Sequence, residues 1–225
     1  MLLTVILAIA LSAEPKEPPA ELMSRLAAHN DGMEKLIDHY VMVVESKSSE
    51  DDSDGKPLHR SQSVARVVSE GGKRRTKVVS ATKDGKDDLE RAQKEATEQD
   101  EKDERHPSPF ISKMQSKYRF TDLGQTPEGQ LVIGFVPKSG PSSDSLDGEA
   151  VVDAQAGELV KMKCRLSENP AFVDKLDMTM DFGATVEGKR ALSAMTFDGS
   201  GGFLFYKRRG SAVLKFTYEP RPGPN

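Results

Sequence analysis

Tryptophan is absent from this 225-residue chain, cysteine occurs once, and neither charge sign dominates, with 32 Lys and Arg against 36 Asp and Glu. Each scarcity excludes something. A lone cysteine, Cys164, forbids an intramolecular disulfide, so the fold is no disulfide scaffold even in an oxidising compartment. Near-balanced charge removes the basic face with which a nucleic-acid binder displaces counterions. The longest apolar run, Leu2 to Leu11, is about half of the roughly 20 residues a helix needs to cross a bilayer, which excludes a polytopic membrane protein. What remains, 36% apolar and 30% charged residues, suits one ordinary globular domain or two small ones.

The net charge of −4 is not spread along the chain. Residues 83–105 hold 10 acids and 6 bases with only Leu89, Ala92 and Ala96 as apolar residues, so this segment carries the whole excess. The rest is electroneutral. The thin stripe formed by those three residues predicts a mostly solvated helix, inserted in the domain and frayed at its ends.

The apolar run of residues 1–13 has the length of a signal-peptide core and ends on small residues, Ser12 and Ala13. Cleavage after Ser12 or after Ala13 fits, although no Lys or Arg precedes the run, so the signal is minimal or the true start lies upstream. A buried N-terminal helix or strand is the alternative. Leu11-Ser12-Ala13 would begin a lipoprotein signal, but Glu14 stands where the lipidated cysteine belongs. The expectation is an exported protein, periplasmic or otherwise, without a lipid anchor. Residues 14–20 read as a Pro-rich linker, 21–219 as a single domain and 220–225 as a tail.

Within the domain, Leu22, Leu26, Met33, Leu36, Ile37 and Tyr40 fall at helical spacing, interrupted by Asn30-Asp31-Gly32, which leaves one bent helix or two short ones. From Tyr40 the period changes to two. Strands are predicted at Tyr40–Glu45, Val64–Ser69 and Thr76–Ser80, with a turn-rich stretch over Ser48–Lys56. After the charged segment, Phe110, Ile111 and Met114 suggest a short helix. Alternating stretches follow at Tyr118–Leu123, Leu131–Val136, Glu149–Asp153, Leu159–Leu166, Val173–Phe182, Arg190–Phe197, Phe203–Tyr206 and Val213–Tyr218. Hairpin connections are read at 126–129, 153–157, 186–189 and 198–202. Such short spacing makes neighbours antiparallel rather than βαβ units. The fold class is therefore α+β, mainly β: one large, strongly curved antiparallel sheet with an N-terminal helix on one face.

A search for chemistry finds no nucleophile elbow, phosphate loop or H-E-x-x-H motif, and no cofactor is expected. His29, His39, His59 and His106 are scattered and read as surface residues. Residues 50–55 mimic the start of a calcium loop, but Ser61 stands where the bidentate Glu is required. Gly199-Ser200-Gly201-Gly202 reads as a turn. Lys73-Arg74-Arg75 and Lys207-Arg208-Arg209 abut glycines and read as solvated turns or edge-strand guards, with contact to membrane head groups or an acidic partner as the alternative.

The most informative stretch is Leu176-Asp177-Met178-Thr179-Met180-Asp181-Phe182. Leu176, Met178, Met180 and Phe182 face one way, and Met162 and Cys164 form a neighbouring apolar row. Methionine adapts to irregular shapes, so this face suits either an acyl-chain cavity or an ordinary core in which Cys164 is an inert thiol. On the other face, Lys161, Lys163 and Arg165 are placed to pair across strands with Asp177 and Asp181.

The helix running into a strand at Tyr40, the long meander, and the segment Leu146-Asp147-Gly148-Glu149-Ala150-Val151-Val152-Asp153-Ala154-Gln155-Ala156-Gly157-Glu158-Leu159-Val160 resemble the periplasmic LolA/LolB-like group of lipoprotein carriers and their uncharacterised relatives. The resemblance extends in pattern over residues 20–219 and is specific around 146–166. It implies an unclosed half-barrel with helices against its concave side, where carriers hold acyl chains. The expected protein is then a non-enzymatic monomer of the cell envelope. It would bind a lipid, acyl chain or lipoprotein through Met162, Cys164, Leu176, Met178, Met180 and Phe182. The competing expectation is an interaction or sensor module whose cavity is filled by its own side chains and which contacts an envelope protein.

Overall fold

The computed structural model describes residues 16–70, 73–102, 107–203 and 206–221. The expected leader, the first two residues of the expected linker, His106 and residues 222–225 of the expected tail lie outside them. In chain order the elements are α1 (Ala20–Ile37), β1 (Tyr40–Asp52), β2 (Pro57–Glu70), β3 (Lys73–Lys83), β4 (Lys86–Asp87), α2 (Leu89–Lys102), α3 (Ser112–Gln115), β5 (Tyr118–Gln125), β6 (Leu131–Pro137), β7 (Leu146–Asp153), β8 (Glu158–Leu166), β9 (Val173–Asp181), β10 (Ala184–Val186), β11 (Lys189–Ala191), β12 (Ala194–Phe203) and β13 (Tyr206–Pro220). The fold is mainly β, as the alternation predicts.

Eleven strands make one antiparallel sheet in the order β4-β3-β2-β1-β13-β12-β9-β8-β7-β6-β5, and β10 and β11 form a separate ribbon. The sheet does not close, since β4 and β5 remain at opposite ends. Its centre is the least local part. The C-terminal β13 lies between β1 and β12, with Val44 opposite Phe216 and Thr196 opposite Val213.

Helix α1 is continuous through Asn30-Asp31-Gly32. The Asn30 amide donates to the Leu26 carbonyl (2.7 Å), and Asp31 accepts from the Ser112 N–H (3.1 Å), so both polar residues are held without breaking the helix. Its apolar stripe buries Leu22, Met23 and Leu26 in a cluster with Ile133, Phe135, Ala150, Val152, Met162, Cys164 and Met178. Phe110 and Phe135 meet edge to face in the same cluster, 5.6 Å apart. This sets the helix against the sheet's core face, where burial of each large apolar side chain stabilises by about 1.5–3 kcal/mol.

Three local expectations are corrected. β1 continues through Ser48 to Asp52, because β13 pairs with all five residues and β2 with Ser48 to Asp51 on the other side. Residues 198–202 are not a turn but part of β12, paired with β9 and β13. Glycine is needed at that point for close approach rather than for chain reversal: a Cβ on Gly201 would sit 2.3 Å from the Phe172 carbonyl oxygen. Lys207-Arg208-Arg209 accordingly lies within β13, where Arg208 pairs with Glu50 on β1. A fourth correction concerns Arg190–Phe197, which divides at residues 192–193 into β11 and β12.

Candidate functional site

Residues directly opposite in an antiparallel pair share a face, so the register alone traces the floor of the face that α1 covers. One row runs Met162 (β8), Met180 (β9), Met195 (β12), Leu214 (β13), Ser46 (β1), Ser63 (β2) and Ala81 (β3). The next runs Cys164, Met178, Phe197, Ala212, Ser48, Ser61 and Lys83. Both rows change from apolar to hydroxyl-bearing at the β13–β1 boundary.

Burial is graded along them. Met162, Cys164 and Met178 are buried and share a cluster with α1, whereas Leu176, Met180, Phe182 and Phe197 are half-buried against it. Met195 and Leu214 are half-buried and belong to neither apolar cluster. Helix α1 packs on β8 and the start of β1, and α2 packs on β3. The strip over β12 and β13 thus lies between two helices on the same face, about 5 Å of floor for each strand crossed.

All six residues singled out from the sequence therefore fall on one continuous surface. Met162 faces Met180, and Cys164 faces Met178. Sequence reasoning missed Met195, Phe197, Leu214 and Ala212. Their alternation was visible, but nothing local says that β12 adjoins β9 and β13.

At its polar end the floor meets α2. Ser46, Ser48, Ser61, Ser63 and Ala81 line a cavity of about 320 Å³ whose roof is Asp88, Arg91, Ala92 and Glu95. Helix α2 buries no residue. It is held by the open edge of β3 instead: the Thr76 N–H donates to Asp100 (2.5 Å), the Val78 N–H to Gln93 Oε1 (2.7 Å), and Gln93 Nε2 to the Thr76 carbonyl (3.0 Å). These bonds occupy groups that a free edge would offer to another chain.

The opposite face carries charge ladders. Lys161 pairs with Asp181 (3.1 Å), as anticipated. Arg165 lies opposite Asp177 but its guanidinium turns to Asp147 on β7 (2.8 Å), while Asp177 takes Lys175 (2.5 Å). Burial, with a smaller effect of the Asp147 charge, pushes the Cys164 thiol up to about 12. It is a core residue with almost no thiolate at neutral pH.

His29 is not the surface residue expected. Its ring sits between Glu158 Oε1 (3.4 Å) and the Arg190 carbonyl (3.1 Å), joining α1 to β8 and β11. His59 meets Asp84 at 2.8 Å. Of residues 50–55, Glu50 to Asp52 end β1 and the rest form the solvated turn into β2, in which Asp52 Oδ1 accepts the Asp54 and Lys56 N–H groups. Among the described residues, no group of three or more His, Cys, Asp or Glu is placed to hold a metal ion, and no helix is long and apolar enough to cross a membrane.

No protein-family model matches the chain, and no curated protein matches it in sequence. Among solved structures it is similar to a DUF1329 family protein from Desulfovibrio piger, with 11% identity, a TM-score of 0.43, and coverage of 93% of this chain and 96% of the other. It is also similar to a candidate outer membrane lipoprotein-sorting protein domain from Vibrio parahaemolyticus, with 10% identity, a TM-score of 0.40, and coverage of 91% and 93%. A third similarity is to the MucA/MucB complex of Pseudomonas aeruginosa, with 11% identity, a TM-score of 0.27, and coverage of 91% and 100%.

Proposed function

We propose that this is an exported, non-enzymatic envelope protein that binds the apolar part of a lipid, acyl chain or lipoprotein along the concave floor. The observation that carries the reading is the half-buried strip Met180-Met195-Leu214 with Phe197 beside it, between α1 and α2. A self-filled core would bury these side chains as it buries Met162 and Met178. Flexible thioethers suit chains of varied shape. The leader-like residues 1–13 support export, and the lipoprotein-sorting domain among the similar structures agrees with this direction without carrying it.

The test is to purify the protein from its host, extract it with organic solvent, and weigh the extract by mass spectrometry. Stoichiometric lipid is expected, together with displacement of a fluorescent fatty acid by lysophospholipid. Absence of lipid and of any thermal shift with lysophospholipid would refute the reading.

A further inference from the structure

The cavity under α2 continues the floor of the apolar strip, because Leu214 faces Ser46 and Ala212 faces Ser48. Its lining differs sharply from the strip. Ser46 faces Ser63 and Ser48 faces Ser61, placing four hydroxyls in two cross-strand pairs on one patch. Each of these serines is half-buried, and none has a side-chain hydrogen bond among the described residues. A patch of partly desolvated hydroxyls without protein partners can be completed by a ligand that both donates and accepts.

The charges around the patch select among ligands. Glu50, Asp88 and Glu95 oppose Lys83 and Arg91, so these five side chains are net negative by one. Arg91 is already engaged by Asp88 and Glu95, and Glu50 by Arg208. A phosphate entering here would meet three carboxylates, and the remaining cation, Lys83, already acts on Asp84 and Asp88. The available groups are the hydroxyls, and the volume of about 320 Å³ lies at the small end for ligand sites.

We infer that the cavity formed by Ser46, Ser48, Ser61 and Ser63 beneath α2 takes the uncharged, polyhydroxylated head group of an amphiphile whose chain lies along the methionine strip. This rests on the chain-binding reading above and assigns the class of ligand: a glycosyl- or glycerol-headed lipid rather than an anionic phospholipid. Arg91 and its two carboxylates form the roof, and the bonds of Gln93 and Asp100 to the β3 edge hold α2 in place over the head group.

The experiment compares three amphiphiles with the same dodecyl chain, each below its critical micelle concentration, by calorimetric titration of the full chain: dodecyl maltoside, dodecyl phosphate and dodecyltrimethylammonium. Maltoside is expected to bind at least about tenfold more tightly than phosphate, the loss expected for two hydrogen bonds. In a Ser61→Ala/Ser63→Ala variant that preference should shrink to within about twofold, with trimethylammonium binding unchanged. Equal binding of maltoside and phosphate, tighter binding of trimethylammonium than maltoside, or a preference that survives the double variant each overturns the head-group assignment alone. Failure of all three to bind overturns the chain-binding strip and the head-group site with it.

Discussion

Met180 lies directly opposite Met195 across the β9–β12 pair, at the point where the core under α1 gives way to the half-buried strip. One methionine of the pair packs against the core cluster and the other does not. This boundary separates residues packed in the core cluster from half-buried residues outside it.

Substitutions on either side of that boundary should behave differently. Met178→Ala removes a buried side chain and is expected to cost about 2–5 kcal/mol in urea denaturation. Met195→Ala, half-buried, should cost about 1 kcal/mol or less. Met195→Asp should abolish displacement of a fluorescent fatty acid while leaving a cooperative thermal transition. If Met195→Asp keeps full binding, the strip is not the chain site.

Helix α2 should act as an edge cover. Gln93→Ala and Asp100→Ala strip bonds from the Thr76 and Val78 backbone groups, each change costing about 1–2 kcal/mol. The double variant should also associate through β3, detectable as a concentration-dependent rise in light scattering. Unchanged stability and scattering would show that α2 is merely tethered.

The sheet should weaken in alkali. Cys164 and Tyr218 are both held un-ionised by burial and are pushed up to about 12, from ordinary values of 9.0 and 10.0. The unfolded chain ionises these groups first, so their contribution is complete below pH 9 and declines as pH rises towards 12. Each group steepens the fall by up to about 1.4 kcal/mol per pH unit. Cys164→Ala should flatten the urea midpoint between pH 9 and 10. Native Cys164 should resist a thiol reagent at pH 8 and react at once after denaturation.

Two glycine substitutions should have opposite signs. Gly32→Ala, inside α1 with its nearest contact 3.6 Å away at Lys189 Nζ, should stabilise by about 0.5–1 kcal/mol. Gly201→Ala forces a Cβ to 2.3 Å from a backbone oxygen and should lower the thermal midpoint, or prevent folding, by parting β9 from β12. A neutral Gly201→Ala would contradict the close approach of these strands.

Much of this arrangement is visible in local pattern. The 3.6 period from Leu22, the period of two from Tyr40, and the hairpins at 126–129 and 153–157 follow from side-chain alternation and turn chemistry acting over a few residues. The misreadings share a cause. Ser48–Asp52 and Asp198–Gly202 are polar or glycine-rich enough to pass for turns, yet they are strands because each is flanked by its hairpin neighbour on one side and by a strand farther off in sequence on the other. Tertiary context overrides propensity there. That the six apolar residues singled out share one surface was legible because Met162/Cys164 and Leu176–Phe182 come from two sequential stretches whose strands pair. Met195, Leu214 and the serine patch depend on the placement of β13, which periodicity does not encode.

That placement also orders events in time. Residues 40–87 can form one set of hairpins and residues 118–203 another, but only β13 joins β1 to β12. β13, Tyr206–Pro220, must therefore leave the ribosome before either half can hide its inner edge. Until then the growing chain displays two unpaired strands, and a product ending before Tyr206 would display them permanently.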